Sequence, residues 1–130
     1  MVVDNPEFEP HFSHLAAGRL CFPYCMKCAR FHWYPMPLCP HCQSADLAWR
    51  EVAGHGTLYS WTEIHHAFDA RYTGPLPYIV ALIDFADAPG VRLVSNIVDV
   101  VAETLTINMP VGAHFGHAAD GKPQATFRPL

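Results

Sequence analysis

The sequence predicts a mainly β protein: a short N-terminal helix, a four-cysteine metal module, then short strands that fit a five-stranded barrel. Three observations carry that prediction. Two Cys-x-x-Cys pairs, Cys25/Cys28 and Cys39/Cys42, stand ten residues apart. Twelve prolines and eight glycines cut a 130-residue chain too often for long helices. Beyond residue 46 the apolar residues fall in short runs rich in Val, Thr, Tyr and Trp, separated by turn formers.

The helix is expected between Glu7 and Ala17, where Phe8, Phe12 and Leu15 recur at helical spacing. Pro10 suits its first turn, Gly18 can end it, and Glu7, Glu9 and Arg19 suit the helix dipole. So short a helix does not persist in water alone, so its aromatic stripe needs a surface to pack on. Residues 20–46 make the cysteine module. Strands are then read over Leu47 to Ile64, broken by Gly54 and Gly56, and over Tyr78 to Phe85 and Val91 to Val98, joined by Asp87-Ala88-Pro89-Gly90. A helical turn over Asp99 to Ile107, a strand through Val111, Ala113 and Phe115, and a last strand from Gln124 to Pro129 complete the chain. Five such strands are compatible with an OB-type barrel, and a small sandwich would give the same signals. The division is therefore 1–19 helix, 20–46 ribbon and 47–130 barrel.

Composition narrows the function classes. Hydrophobic residues make up 51% of the chain, which argues against disorder. A net charge of −4, with eight scattered Lys and Arg, opposes duplex nucleic acid as a partner. Residues 1–10 lack a basic stretch followed by an apolar run, and no apolar stretch approaches a membrane span, so a cytoplasmic protein is expected.

The cysteine spacing has a direct chemical reading. Two residues between thiolates let a tight turn aim both sulfurs at one ion. Two facing turns supply four soft ligands in a tetrahedron, a closed structural zinc site. A rubredoxin-like iron site uses the same four sulfurs, so the sequence leaves iron open. Four protein ligands leave no position for water, so catalysis at this metal is not expected. His41 lies inside the second knuckle but is not needed as a ligand, and Cys21 reads as a small buried residue.

The whole order of segments resembles a known family. The stretches are GRLCFPYCMKCARFHWYPMPLCPHC, GHGTLYSWTEIHH, PLPYIVALIDFADAPGVRLVSNIVDV, LTINMPVGAHF and FRPL. Together they resemble, from about Phe8 to Leu130, the proteins that pair a rubredoxin-like zinc ribbon with an OB-fold domain and are described as acyl-CoA-associated. That resemblance implies an accessory subunit of a thiolase-superfamily enzyme, a thiolase or a retro-aldol lyase, as in steroid side-chain or aromatic catabolism. The large subunit would supply the nucleophilic cysteine, the small one would help enclose the acyl-CoA, and a heterotetramer would follow from a dimeric partner. One departure stands out: Ala29 follows Cys28, where the family often has glycine.

Other side chains have both a functional and a plainer reading. Arg71 and Tyr72, in the loop from Phe68 to Pro77, suit a CoA phosphate and an adenine ring, and Arg30 beside the knuckle is similar. A surface loop and a solubilising charge are the plainer readings. His65 and His66 point to opposite faces of a strand, so at most one enters any pocket. His114 and His117 read as solvated. Phe22, Tyr24, Phe31, Trp33 and Tyr34 exceed what a tiny ribbon can bury and suggest an interface. No catalytic residue is assigned, because no Ser-His-Asp spacing, open metal site or paired carboxylates are present. The leading expectation is a subunit without catalysis of its own, sharing acyl-CoA as a ligand. A single-stranded nucleic-acid binder is the alternative, and a free-standing thioesterase the third.

Overall fold

The computed structural model describes residues 5–130, apart from 71 and 73. The chain opens with a 3-10 turn, Pro6–Phe8, in which the Glu7 N–H donates to the Asn5 side chain at 3.0 Å. It continues as helix α1, Glu9–Ala16. A Schellman arrangement ends the helix: Gly18 takes φ +74°, its N–H donates to the Leu15 carbonyl, and the Arg19 N–H donates to the His14 carbonyl. Residues 8, 11, 12 and 15 form one face, with Phe8, His11 and Leu15 buried and Phe12 half-buried.

Strands β1 (Leu20–Cys25), β2 (Arg30–Phe31) and β3 (Leu47–Val52) make an antiparallel sheet in the order β2-β1-β3. Strands β4 (His55–Ile64), β5 (Tyr78–Asp84), β6 (Arg92–Ile97), β7 (Pro110–His117) and β8 (Pro123–Pro129) close a barrel in the order β4-β5-β6-β8-β7. The β6–β8 contact is parallel, at Ile97 opposite Phe127, and the other barrel pairs are antiparallel. This is a five-stranded OB barrel, and the sandwich reading falls away. A 3-10 turn, Ala102–Thr104, stands within the expected helical turn.

One expectation needs correction. The sequence places Leu47–Val52 at the start of the barrel, but it pairs along its whole length with β1 in the ribbon sheet, Leu20 opposite Val52 and Cys25 opposite Leu47. The chain changes sheets at Ala53 and Gly54, between β3 and β4. Strand composition reports a half-buried pleated surface and is silent about which neighbour the strand pairs with.

Helix, ribbon and barrel share one core. Leu15 of α1, Leu20 and Phe22 of β1, and Val52 of β3 belong to the same buried cluster as Leu58, Ile83, Phe85, Val111 and Phe127. Phe22 is wholly buried, with its ring 5.1 Å from Phe85 and 5.2 Å from Trp33. Gly56 lets β4 cross close over β5: a Cβ there would overlap the Asp84 carbonyl and sit 2.9 Å from Ile83. Among the described residues no helix is long and apolar enough to cross a membrane.

Candidate metal centre

The metal centre forms where β1 ends. Cys25 is the last residue of β1, Cys28 follows in a turn leading to β2, and Cys39 and Cys42 flank a second turn before β3. The two turns are built alike. The Ala29 N–H donates to the Cys25 carbonyl at 2.9 Å, and the Gln43 N–H donates to the Cys39 carbonyl at 2.8 Å. The Cys28 N–H donates to Cys25 Sγ at 3.4 Å and the His41 N–H to Cys39 Sγ at 3.3 Å. Each knuckle is followed by a residue in the left-handed region, Ala29 at φ +60° and Gln43 at φ +62°. The position where the sequence departs from glycine is thus one where glycine would be unstrained.

The four sulfurs lie within 4.8 Å of one another, with Cys25–Cys42 at 3.6 Å and Cys28–Cys39 at 3.7 Å. Zinc–thiolate bonds of about 2.3 Å put tetrahedral sulfurs about 3.8 Å apart, so the cluster has the size of a Zn–S4 site. As free thiols these groups conflict. The Cys28 N–H, with help from neighbouring donors, brings Cys25 down to about 7. Burial, and then the other sulfurs, push Cys28 up to about 12. A dication resolves that conflict by stabilising all four thiolates together. Cys25 and Cys39 are buried and the other two half-buried. The ring of His41 is turned to the Phe31 carbonyl at 3.4 Å and to Arg30 at 3.5 Å, and Cys21 is buried with its thiol pushed up by that burial.

The remaining candidates are dispersed. Arg71 lies outside the described residues. The Tyr72 hydroxyl donates to the Pro75 carbonyl at 2.7 Å and its ring lies 5.0 Å from Tyr78, so it closes its own loop. That loop precedes β5, whereas a cleft lined by Arg30 reaches Pro89 and Gly90 after β5. Seven strand residues span about 20 Å, so Tyr72 and Arg30 do not form one site. His65 is exposed and 3.4 Å from Glu63, His66 packs on Phe68, and His114 and His117 are exposed.

The apolar excess of the ribbon is also distributed differently from the expectation. Phe22 is fully buried, while Trp33, half-buried, packs against Phe8, His11 and Phe22. Tyr24 and Phe31 are half-buried. The barrel and α1 supply the partners that the ribbon alone lacks. Only Tyr34 of the five is exposed, and the other exposed large apolar residues of the ribbon are Met26, Met36 and Leu38. No periodic signal marks these three, since Met26 lies inside the first knuckle and Met36 and Leu38 follow Pro35 and Pro37. Sequence reading also missed His11, although residues 8, 11, 12 and 15 have helical spacing.

An OB barrel carrying a four-sulfur ribbon at its N-terminal side defines the class, a two-part protein with a closed structural zinc site. More particularly, the chain belongs to the ChsH2 family. The model of the ChsH2 rubredoxin-like zinc ribbon domain matches residues 12–48, and that of the ChsH2 C-terminal OB-fold domain matches residues 49–116. A solved chain described as Ltp2-ChsH2(DUF35) aldolase is 32% identical with a TM-score of 0.86, covering 99% of this chain and 98% of that one. A DUF35-family protein of unknown function from Sulfolobus solfataricus shares the fold, at 18% identity and a TM-score of 0.64, over 97% of this chain and 87% of that one. A probable enoyl-CoA hydratase alpha subunit from Thermomonospora curvata is 35% identical over 111 residues. The match takes in 85% of this chain but only 34% of that relative, so the chain spans about a third of its length.

Proposed function

We propose that this chain is the small, non-catalytic partner subunit of an acyl-CoA enzyme, docking on a thiolase-superfamily large subunit and helping to enclose the acyl-CoA. The observation that carries the reading is the end-to-end likeness to a chain of an aldolase described by two components, Ltp2 and ChsH2. The relative described as an enoyl-CoA hydratase alpha subunit points to the same substrate class. The exposed apolar residues of the ribbon, Met26, Tyr34, Met36 and Leu38, are 44–51% exposed and offer a docking surface. Zinc is structural in this reading: it fixes the loops that present that surface. A dimeric large subunit would give a heterotetramer, formed in the cytoplasm. Tyr72, with Arg71, remains a second candidate contact for CoA.

The test is co-expression with a thiolase-like large subunit, followed by size-exclusion chromatography, zinc analysis and assay of C–C bond cleavage in an acyl-CoA. The expected result is a stable zinc-containing complex whose activity is lost when this chain is omitted. Full turnover by the large subunit alone, without association, would refute the reading.

A further inference from the structure

A cleft of about 650 Å³ lies between the ribbon sheet and the β5–β6 turn of the barrel. Tyr24, Phe31, His32 and Trp33 line it from the ribbon, Arg30, His41 and Arg50 bring its polar groups, and Pro89 and Gly90 close it from the barrel. Its floor is one face of the β2-β1-β3 sheet. Tyr24 faces Phe31 across β1–β2, and Phe22, two residues before Tyr24, faces Arg50 across β1–β3. The volume lies in the usual range for small-molecule sites.

Its charges are unusual for this chain. Among the described residues, the barrel arginines have carboxylate partners: Arg92 meets Asp84 at 3.2 Å and Arg128 meets Asp99 at 3.5 Å. Among the described residues, neither Arg30 nor Arg50 has a carboxylate within 4 Å, in a chain with net charge −4. Both guanidiniums are nevertheless held in place. Arg50 lies over the Tyr24 ring at 3.7 Å, and Arg30 rests on His41 Nδ1 at 3.5 Å while the other nitrogen of that ring meets the Phe31 carbonyl. His32 adds an independent sign. It is 4% exposed, lines the cleft, and neither ring nitrogen has a hydrogen-bond partner among the described residues. A buried polar group left unpaired is costly, so such a group beside a cleft marks a place for a further partner.

We propose that this cleft binds the phosphorylated nucleotide end of a ligand, with Arg30 and Arg50 holding phosphate and the Tyr24 and Phe31 rings bordering the base. Guanidinium forks match phosphate oxygens, and aromatic rings accept a base face. Coenzyme A carries such an end, so the proposal rests on the acyl-CoA reading for its choice of ligand and on the cleft for its location.

The probe is adenosine 3′,5′-bisphosphate, titrated calorimetrically into the full-length zinc-loaded chain. Wild type should bind, more weakly as salt rises. Arg30→Gln and Arg50→Gln should each lose about tenfold in affinity, the usual weight of a charged hydrogen bond. Arg128→Gln, in the barrel, should bind as wild type does, and unchanged zinc content and circular dichroism certify folding. No binding by wild type, or wild-type affinity in both cleft variants, would overturn the proposal. So would cleft variants that lose the large subunit while wild type ignores the nucleotide, since the arginines would then be a protein contact. Association with the large subunit is scored separately. If it fails while the bisphosphate binds, the subunit reading falls and the cleft stands; if it holds and the bisphosphate does not bind, the cleft alone falls.

Discussion

Acid should unfold this protein partly through one histidine of α1. His11 is 8% exposed, packed among Phe8, Phe12, Trp33 and Trp49, with Nδ1 unpaired. Burial, and secondarily the nearby His14, lowers it from 6.5 to about 4. A depressed histidine binds its proton more readily in the unfolded chain. The stability it contributes is therefore complete above pH 6.5 and drains away as pH falls towards 4. A shift of roughly 2.5 units at 1.36 kcal/mol each gives about 3 kcal/mol in all, of which about 2 kcal/mol is lost by pH 5. The perturbation is His11→Leu, which keeps the volume and removes the proton site. Urea unfolding at pH 7.5 and pH 5, with zinc present throughout, should show wild type losing about 2 kcal/mol more than the variant. The metal site titrates in both proteins, so it cancels in the comparison. Equal losses in the two would refute the assignment of the acid sensitivity to His11.

Three further outcomes are expected. Chelation of the metal, or Cys25→Ser, should unfold the ribbon, since metal binding of about 10 kcal/mol or more rivals the whole stability of a domain. The emission of Trp33 and Trp49, both packed near α1, should shift to the red, and an unchanged spectrum with zinc removed would contradict this. Gly56→Ala should cost about 3 kcal/mol by forcing β4 off the Asp84 carbonyl, read as a lowered urea midpoint. Ala29→Gly should raise stability by about 0.5–1 kcal/mol, because the relief of a left-handed alanine exceeds the added chain entropy; a lowered midpoint would contradict the turn geometry.

The features legible in the sequence were those encoded locally. The ligand cysteines needed only their spacing, the helix its i, i+3, i+4 face and Gly18, and the β5–β6 pair its Pro89-Gly90 turn. What escaped was decided by distant partners. Leu47–Val52 carries no mark of belonging with β1, because pairing is settled by register with a strand some 25 residues earlier. Phe22 looked surplus because the ring that covers it, Phe85, lies beyond the second knuckle and across the barrel. Arg50 carries no sequence signal of its own, since a charge on a strand ordinarily faces water. Its position over Tyr24 follows from a register that only the folded sheet supplies.

The Phe22–Phe85 contact bears on where this chain can be cut. A fragment begun at residue 49 would strand residues 49–52 of β3 without β1 and leave Phe85 without its Phe22 neighbour. A ribbon cut off at residue 48 would carry Phe22 with nothing to cover it. Each half therefore relies on the other to close its core, and a cut between them exposes both. The pattern of relatives fits that constraint: the chain matches one solved chain along 98% of its length, and a 111-residue stretch of it recurs within a polypeptide about three times as long. Ribbon and barrel close over each other as one folding unit, and any fusion or dissection of the chain has to keep the two together.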